Sequence, residues 1–216
     1  MPNDSQLQEA ILAELKWEPS VTAGHIGVAA HDGVATLTGH VASYPHKHAA
    51  EVAARRVKGV HGVANEIIVE LPVNIVKTDE AIAAAALERL AWDISLPSDR
   101  VQVVVIEGWL TLSGEVDWYY QSQAAVFDVH NLRGVIGLTN AMTIKPRVDV
   151  ANLTVGIGAA LTRSWSADPN AISVSAEGGM VRLTGTVHSP HDRLVAANAA
   201  WSATGVTTVE NDILVS

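Results

Sequence analysis

Cysteine is absent from this 216-residue chain, which excludes disulfide frameworks, cysteine-ligated zinc and iron–sulfur centres. Positive charge is scarce. Fourteen Lys and Arg stand against 23 Asp and Glu, a net charge of −9, and a general nucleic-acid binder needs a basic footprint. Aromatic residues make up only 5% of the chain and charged residues 17%. No uninterrupted apolar run reaches the ~18 residues of a membrane-spanning helix. The opening Met1–Gln6 leads into neither a basic nor an apolar stretch. No secretory leader is read there, and the expected compartment is the cytoplasm. What the chain does have is 48% apolar residues, enough for a core and incompatible with a disordered polymer.

The dominant signal is internal repetition. Gly33-Val-Ala-Thr-Leu-Thr-Gly39-His-Val41 returns as Gly108-Trp-Leu-Thr-Leu-Ser-Gly114-Glu-Val116 and as Gly179-Met-Val-Arg-Leu-Thr-Gly185-Thr-Val187. At the same offsets Gly59-Val-His-Gly-Val-Ala-Asn65 matches Gly134-Val-Ile-Gly-Leu-Thr-Asn140 and Gly205-Val-Thr-Thr-Val-Glu-Asn211. Asp4, Asp79 and Asn152 each precede a Trp (Trp17, Trp92, Trp165) by the same interval and read as helix N-caps. The repeats span residues 3–72, 78–146 and 149–216, and each carries a net −3 once Lys77 and Arg147, which flank the second, are counted with it.

Within each repeat the periodicity changes in order. Leu7, Ala10, Ile11 and Leu15 share a helix face. Alternation follows in Ile26, Val28, Ala30 and its copies Val101, Val103, Val105 and Ile172, Val174, Ala176. Asp32-Gly33, Glu107-Gly108 and Gly178-Gly179 suit two-residue type I′ hairpin turns. The second strand puts Ala35, Leu37, Gly39 and Val41 on one face. Gly39, Gly114 and Gly185 therefore fall on the core row, where a missing side chain admits a closely packed helix. A second helix is capped by Ser43 or Ser189, with Pro190 in the first turn. It shows a small apolar face in Ala49, Ala50, Ala53 and Val57. Gly59, Gly134 and Gly205 end this helix as left-handed C′ residues. A last strand alternates through Ile67 and Val69, Met142 and Ile144, Ile213 and Val215. The unit is helix–strand–strand–helix–strand. The fold class is α+β: three tandem two-layer sandwiches, each with a small mixed sheet whose third strand runs parallel to the second. A unit of this size is marginal alone, so self-association or a protein partner is expected.

The Leu-Thr-Gly-x-Val element at Leu37–Val41, repeated at Leu112–Val116 and Leu183–Val187, and the Gly-Val-x-x-Val-x-Asn element resemble the BON domain. That family is named for bacterial osmotically inducible and nodulation proteins, and the likeness is to its OsmY-like members, in three copies. The resemblance implies a non-enzymatic protein tied to osmotic and envelope stress. It implies phospholipid binding, chaperone-like activity and, in one branch, potassium binding. OsmY-like members are exported, so the periplasm or envelope is the alternative compartment, and they usually carry two copies.

The residues themselves offer little chemistry. Six of nine histidines lie in the first repeat, and His46-x-His48 has a metal-ligand look. Its counterparts, Gln121 and Gln123, then Asp192 and Leu194, do not keep it, and i and i+2 do not share a helix face. No Gly-x-Ser-x-Gly elbow, recurring carboxylate pair or phosphate loop occurs. No catalytic residue, metal or cofactor is expected. Three surfaces remain as candidates. The loops Gly59–Asn65, Gly134–Asn140 and Gly205–Asn211 could turn carbonyls to a hard cation. The resemblance makes that cation potassium, held by the backbone at Gly59, His61 and Gly62, at Gly134, Ile136 and Gly137, and at Gly205, Thr207 and Thr208. The alternative is that these residues only cap the helix and pin the strand. Lys47, Arg55, Arg56 and Lys58 could meet anionic phospholipid or an acidic partner, or form a solvated helix face. Trp109 and Met180, with Val34 as counterpart, project away from the core row, and Trp118, Tyr119 and Tyr120 cluster at the entry to a helix. They read as a membrane or protein anchor, or as packing between repeats. The function expected is a stress-associated binding or scaffold protein. The alternative is a cytoplasmic potassium-responsive module.

Overall fold

The computed structural model describes residues 3–97, 99–145, 150–164 and 171–215. The repeated sequence folds three times in the same order. The first repeat runs α1 (Asp4–Trp17), β1 (Ile26–His31), β2 (Val34–Val41), α2 (Tyr44–Arg56), β3 (Gly62–Asn65) and β4 (Ile68–Val69). The second runs α3 (Asp79–Trp92), β5 (Val101–Ile106), β6 (Trp109–Val116), α4 (Tyr119–Val129) and β7 (Gly137–Ile144). The third runs α5 (Val150–Ser164), β8 (Ile172–Glu177), β9 (Met180–Val187), α6 (Pro190–Trp201) and β10 (Thr208–Val215). The described residues divide into two compact units, Met1–Glu88 with Val104–Thr111 and Val129–Thr139, and Arg89–Val103 with Leu112–Asp128 and Asn140–Ser216.

Each sheet places the second strand of its repeat in the middle, in the orders β1-β2-β3, β5-β6-β7 and β8-β9-β10. β1 pairs antiparallel with β2, and β3 and β4 pair parallel with it. β8, β9 and β10 repeat that pattern. The expected mixed sheet is therefore present, and the α+β class holds. In the first repeat the third strand is interrupted at Glu66 and Ile67, and the ladder resumes at Ile68. The hairpin turns have the positive φ values that a type I′ turn demands: 46° and 79° at Asp32 and Gly33, 51° and 79° at Glu107 and Gly108, and 56° and 92° at Gly178 and Gly179.

One sheet face carries the helices. Leu7, Ile11 and Leu15 of α1 pack with Ile26, Val28, Ala35, Leu37 and Val41 and with Ala50, Ala53 and Ala54 of α2. In the third repeat Ile157 and Leu161 meet Val181, Leu183, Val187, Ala196 and Ala200. The alanines let the second helix lie low on the sheet, where a larger side chain would overfill the layer.

Several local expectations need correction. Ala10 is exposed, and Leu12 packs at the core's margin in its place. The first helix is capped one residue earlier than expected. Asn3 accepts from the Gln6 amide at 2.8 Å within a capping box, and Thr78 Oγ1 accepts from the Ala81 amide. Ser189 caps α6 by accepting from the Asp192 amide at 3.1 Å, whereas Ser43 at the start of α2 makes no such bond. Asn152 lies inside α5, and Trp165 and the boundary residues 146 and 149 lie outside the described residues. Val215 is exposed.

The recurring glycines also have a different cause from the one expected. Gly39 is exposed and no helix presses on it. Its φ is +114°, and an added Cβ would stand 2.0 Å from the His25 carbonyl oxygen on the neighbouring chain segment. Gly114 faces Arg100 O and Gly185 faces Ala171 O at the same 2.0 Å. The obstacle is the backbone that leads into the first strand of each repeat. Gly59, Gly134 and Gly205 are not C′ residues. Each is the third residue of a β-turn closed by Val60 N to Val57 O, Val135 N to Leu132 O, or Val206 N to Ala203 O, a position where positive φ belongs to type II.

Candidate functional site

The residues that recur in all repeats are mostly consumed by the backbone. In the cation-loop candidates the amides are tied to the hairpin turn. His61 N donates to Gly33 O at 2.8 Å, Ile136 N to Gly108 O at 3.0 Å and Thr207 N to Gly179 O at 2.8 Å. The carbonyls of Gly59, Gly134 and Gly205 face the turn glycines, within 3.2 Å of where their Cβ atoms would be. Gly62 and Gly137 open β3 and β7, Thr208 opens β10, and Gly137 lies under the indole of Trp109. Exchange of sodium for potassium at constant ionic strength is accordingly expected to leave the thermal melt unchanged. A potassium-specific rise in melting temperature would contradict this role for the loops.

Two further ties had no signal beyond repetition. Asp79, in the first turn of α3, accepts from the Glu107 and Gly108 amides at 2.8 Å each, and Asp4 accepts from Asp32 N at 3.1 Å. The aspartate read as a helix cap is thus a clamp on the hairpin turn. The motif asparagine is a strap. Asn65, Asn140 and Asn211 accept through Oδ1 from the amide two residues on, and donate through Nδ2 to Lys47 O, Ser122 Oγ and Arg193 O.

The two arginines of the basic cluster are neutralised. Arg55 pairs with Glu51 at 2.6 Å, and Arg56 reaches Glu18 at 2.7 Å and Glu14 at 3.1 Å. The Ser20 and Arg56 hydrogen bonds hold the Glu18 carboxyl below its ordinary range. Lys47 and Lys58 make no ion pair among the described residues. The histidines give one group with ligand-like spacing, Asp4, His31 and Asp32, all exposed. His31 Nδ1 lies 3.2 Å from Asp4 Oδ2, and Nε2 lies 3.5 Å from Asp32 Oδ2. The positive end of α1 stands against a cation there. His46 and His48 lie two apart in the first two turns of α2, where Tyr44 stacks with His48.

One ionisable group is held against its preference. A carboxyl oxygen of Asp128 is buried without a hydrogen-bond partner. Burial first, and then the neighbouring Asp93 charge, push its carboxyl above the ordinary range, while hydrogen bonds from Ser95 hold Asp93 below it. A raised folded-state value means that Asp128 supports the fold while protonated and loses that support as pH rises through it. Asp128→Asn is therefore expected to stabilise the protein at neutral pH by about 1 kcal/mol, allowing for solvent screening. The gain should vanish as pH falls below the ordinary carboxylate range. Denaturant melts at both ends of that range check the sign.

Aromatic side chains are what the repeats leave over. Trp109, Met180 and Val34 stand on the uncovered sheet faces with 46%, 46% and 45% of their surface exposed. Trp109 Nε1 donates to Thr139 Oγ1. In the second unit Tyr119 stacks on Trp201, ring centroids 3.9 Å apart and planes within 18°, and Trp118 lies 6.3 Å from Tyr120. These four rings line an open groove of about 520 Å³, with Gln123, Asn198 and Ser202 as its polar members. A second groove of about 520 Å³ shares Tyr119, Gln123 and Trp201 and continues past Asn140, Met142 and Ile144 of β7. The structure thus joins Trp118, Tyr119 and Tyr120 with Trp201, a partner that sequence spacing did not suggest. Trp109 belongs to the other unit.

Comparison with known proteins supplies the context. The BON domain model matches residues 3–70, 78–146 and 149–216. The osmotically-inducible protein Y of Escherichia coli (strain K12) is 29% identical over 147 residues, 66% of this chain and 73% of that protein. Two solved structures of CdsD, described as a structural protein of the type III secretion system of Chlamydia trachomatis, align with 98% and 100% of this chain and 92% and 100% of theirs. They are 17% and 18% identical, with TM-scores of 0.28 and 0.26. Among the described residues no helix is long and apolar enough to cross a membrane.

Proposed function

Because the chain belongs to the BON domain family, three copies of which fill nearly its whole length, we propose that it is a non-enzymatic, stress-associated scaffold that binds protein partners. The observation that carries this reading is a division of labour. Residues common to the repeats fasten turns, strands and helices, and large apolar and aromatic side chains, among them Trp17, Trp92, Trp109, Tyr120 and Met180, stay exposed. Likeness to a protein named for osmotic induction supports the association with stress. Reaction chemistry would need polar groups converging in a cleft, whereas the grooves are lined mainly by aromatic rings and neutral polar groups.

The test is suppression of aggregation of an unfolding client by the full chain. Suppression at stoichiometric protein is expected. Its absence, in protein whose melting is unaltered, would remove the reading. Phospholipid is the weaker partner because the Arg55 and Arg56 charges are already met by Glu51, Glu14 and Glu18. Substituting Arg55 and Arg56 together by Ala is expected to change co-sedimentation with anionic vesicles by less than about twofold, since paired surface charges contribute little. A large loss would restore the lipid reading.

A further inference from the structure

The aromatic groove of the second unit has a donor pattern that fits one class of peptide. It gathers two of the three tyrosines and two of the six tryptophans of the chain. The side-chain amides of Gln123 and Asn198 make no hydrogen bond among the described residues, and neither do the indole N–H groups of Trp118 and Trp201. The lining is therefore rich in ring faces, with two indoles that can only donate and two amides that can donate and accept. It contains no Asp, Glu, Lys or Arg, although the chain carries a net −9.

A ligand for such a surface brings apolar rings for the aromatic faces and acceptors for the indole N–H groups. A proline-rich segment meets this description. Its prolines have no backbone N–H, its carbonyls are free in the polyproline II conformation, and its pyrrolidine rings seat between aromatic side chains. Its shape is set before binding, so little ordering entropy opposes docking on an open groove. Charge decides the flanks. The acidic field of the chain draws in Lys or Arg and opposes Asp or Glu. The second groove, sharing Tyr119 and Trp201, gives the segment a continuous track along β7.

We propose that this groove binds a proline-rich segment with basic flanks in a partner protein. The assignment rests on the scaffold reading above and specifies its partner. The full chain is titrated calorimetrically with the capped peptide Lys-Pro-Pro-Ala-Pro-Pro-Ala-Pro-Lys. Parallel titrations use the same peptide with Glu at both ends, a version with Gly for every Pro, and chitotetraose. Saturable binding of the first is expected, with the Glu-flanked peptide weaker by about tenfold at low salt and no saturation by the other two. Tyr120→Ser and Asn198→Ala, both at exposed positions, should each weaken binding by roughly fivefold without moving the melting curve. No saturation by the first peptide, equal binding of the Gly version, preference for the sugar, or full affinity in both variants would overturn the proposal. The client-aggregation assay separates the two levels. Suppression without peptide binding removes the ligand assignment alone, and loss of both removes the scaffold reading as well.

Discussion

Gly114→Ala is expected to cost about 3 kcal/mol of stability, the upper end of the strain tolerated at a single backbone site. Two effects act together. The residue sits at φ +126°, and its new Cβ would lie 2.0 Å from the Arg100 carbonyl oxygen, so the segment before β5 must move away from β6. Backbone cannot yield as the end of a flexible side chain can. Gly24→Ala is the control, because nothing lies within 4 Å of its Cβ position. It should change stability by less than about 0.5 kcal/mol. Denaturant melts of the two variants should differ sharply, and Gly39→Ala and Gly185→Ala should behave like Gly114→Ala because their surroundings repeat it. Near-equal melts would mean that the glycine is retained for some other reason.

Asp79→Ala is expected to cost about 2 kcal/mol, since hydrogen bonds to a charged acceptor contribute roughly 1.5–3 kcal/mol. The carboxylate takes two amides of the β5–β6 turn at 2.8 Å while sitting in the first turn of α3, where the helix dipole favours negative charge. Asp79→Asn separates the parts. It can keep one acceptor but gives up the charge, and an intermediate loss of about 1 kcal/mol follows. If Asp79→Ala melts with the parent, the clamp is not a stabilising tie.

What could be read from the sequence was what depends on neighbours along the chain. Alternation gave the buried rows Ile26 and Val28, Leu110 and Leu112, Val181 and Leu183. Asp-Gly, Glu-Gly and Gly-Gly gave the turns because only certain residues tolerate two successive positive φ values. Alternation reports a row but not what faces it: it puts Gly39 under a helix, whereas the obstacle is the His25 carbonyl. Partners distant in sequence left no local trace. Arg56 looked like part of a basic patch until Glu14 and Glu18 came beside it. Asp79 looked like a cap until its amides proved to be those of Glu107 and Gly108. Tyr119 and Trp201, in different repeats, gave no hint of a shared groove. The framework was legible because it is local and threefold repeated. The candidate site was not, because Trp118, Tyr120 and Trp201 have no Trp or Tyr at the equivalent positions of the other repeats, and only Tyr119 has a counterpart, Tyr44.

The central claim is that the shared residues act on the backbone, and amide hydrogen exchange of the full chain tests it most directly. The amides of Ile67, Met142 and Ile213, held by the asparagine straps, and of His61, Ile136 and Thr207, held by the hairpin turns, are predicted to exchange slowly at equivalent positions in all three repeats. Exchange of these amides at the rate of an unfolded chain would contradict the account.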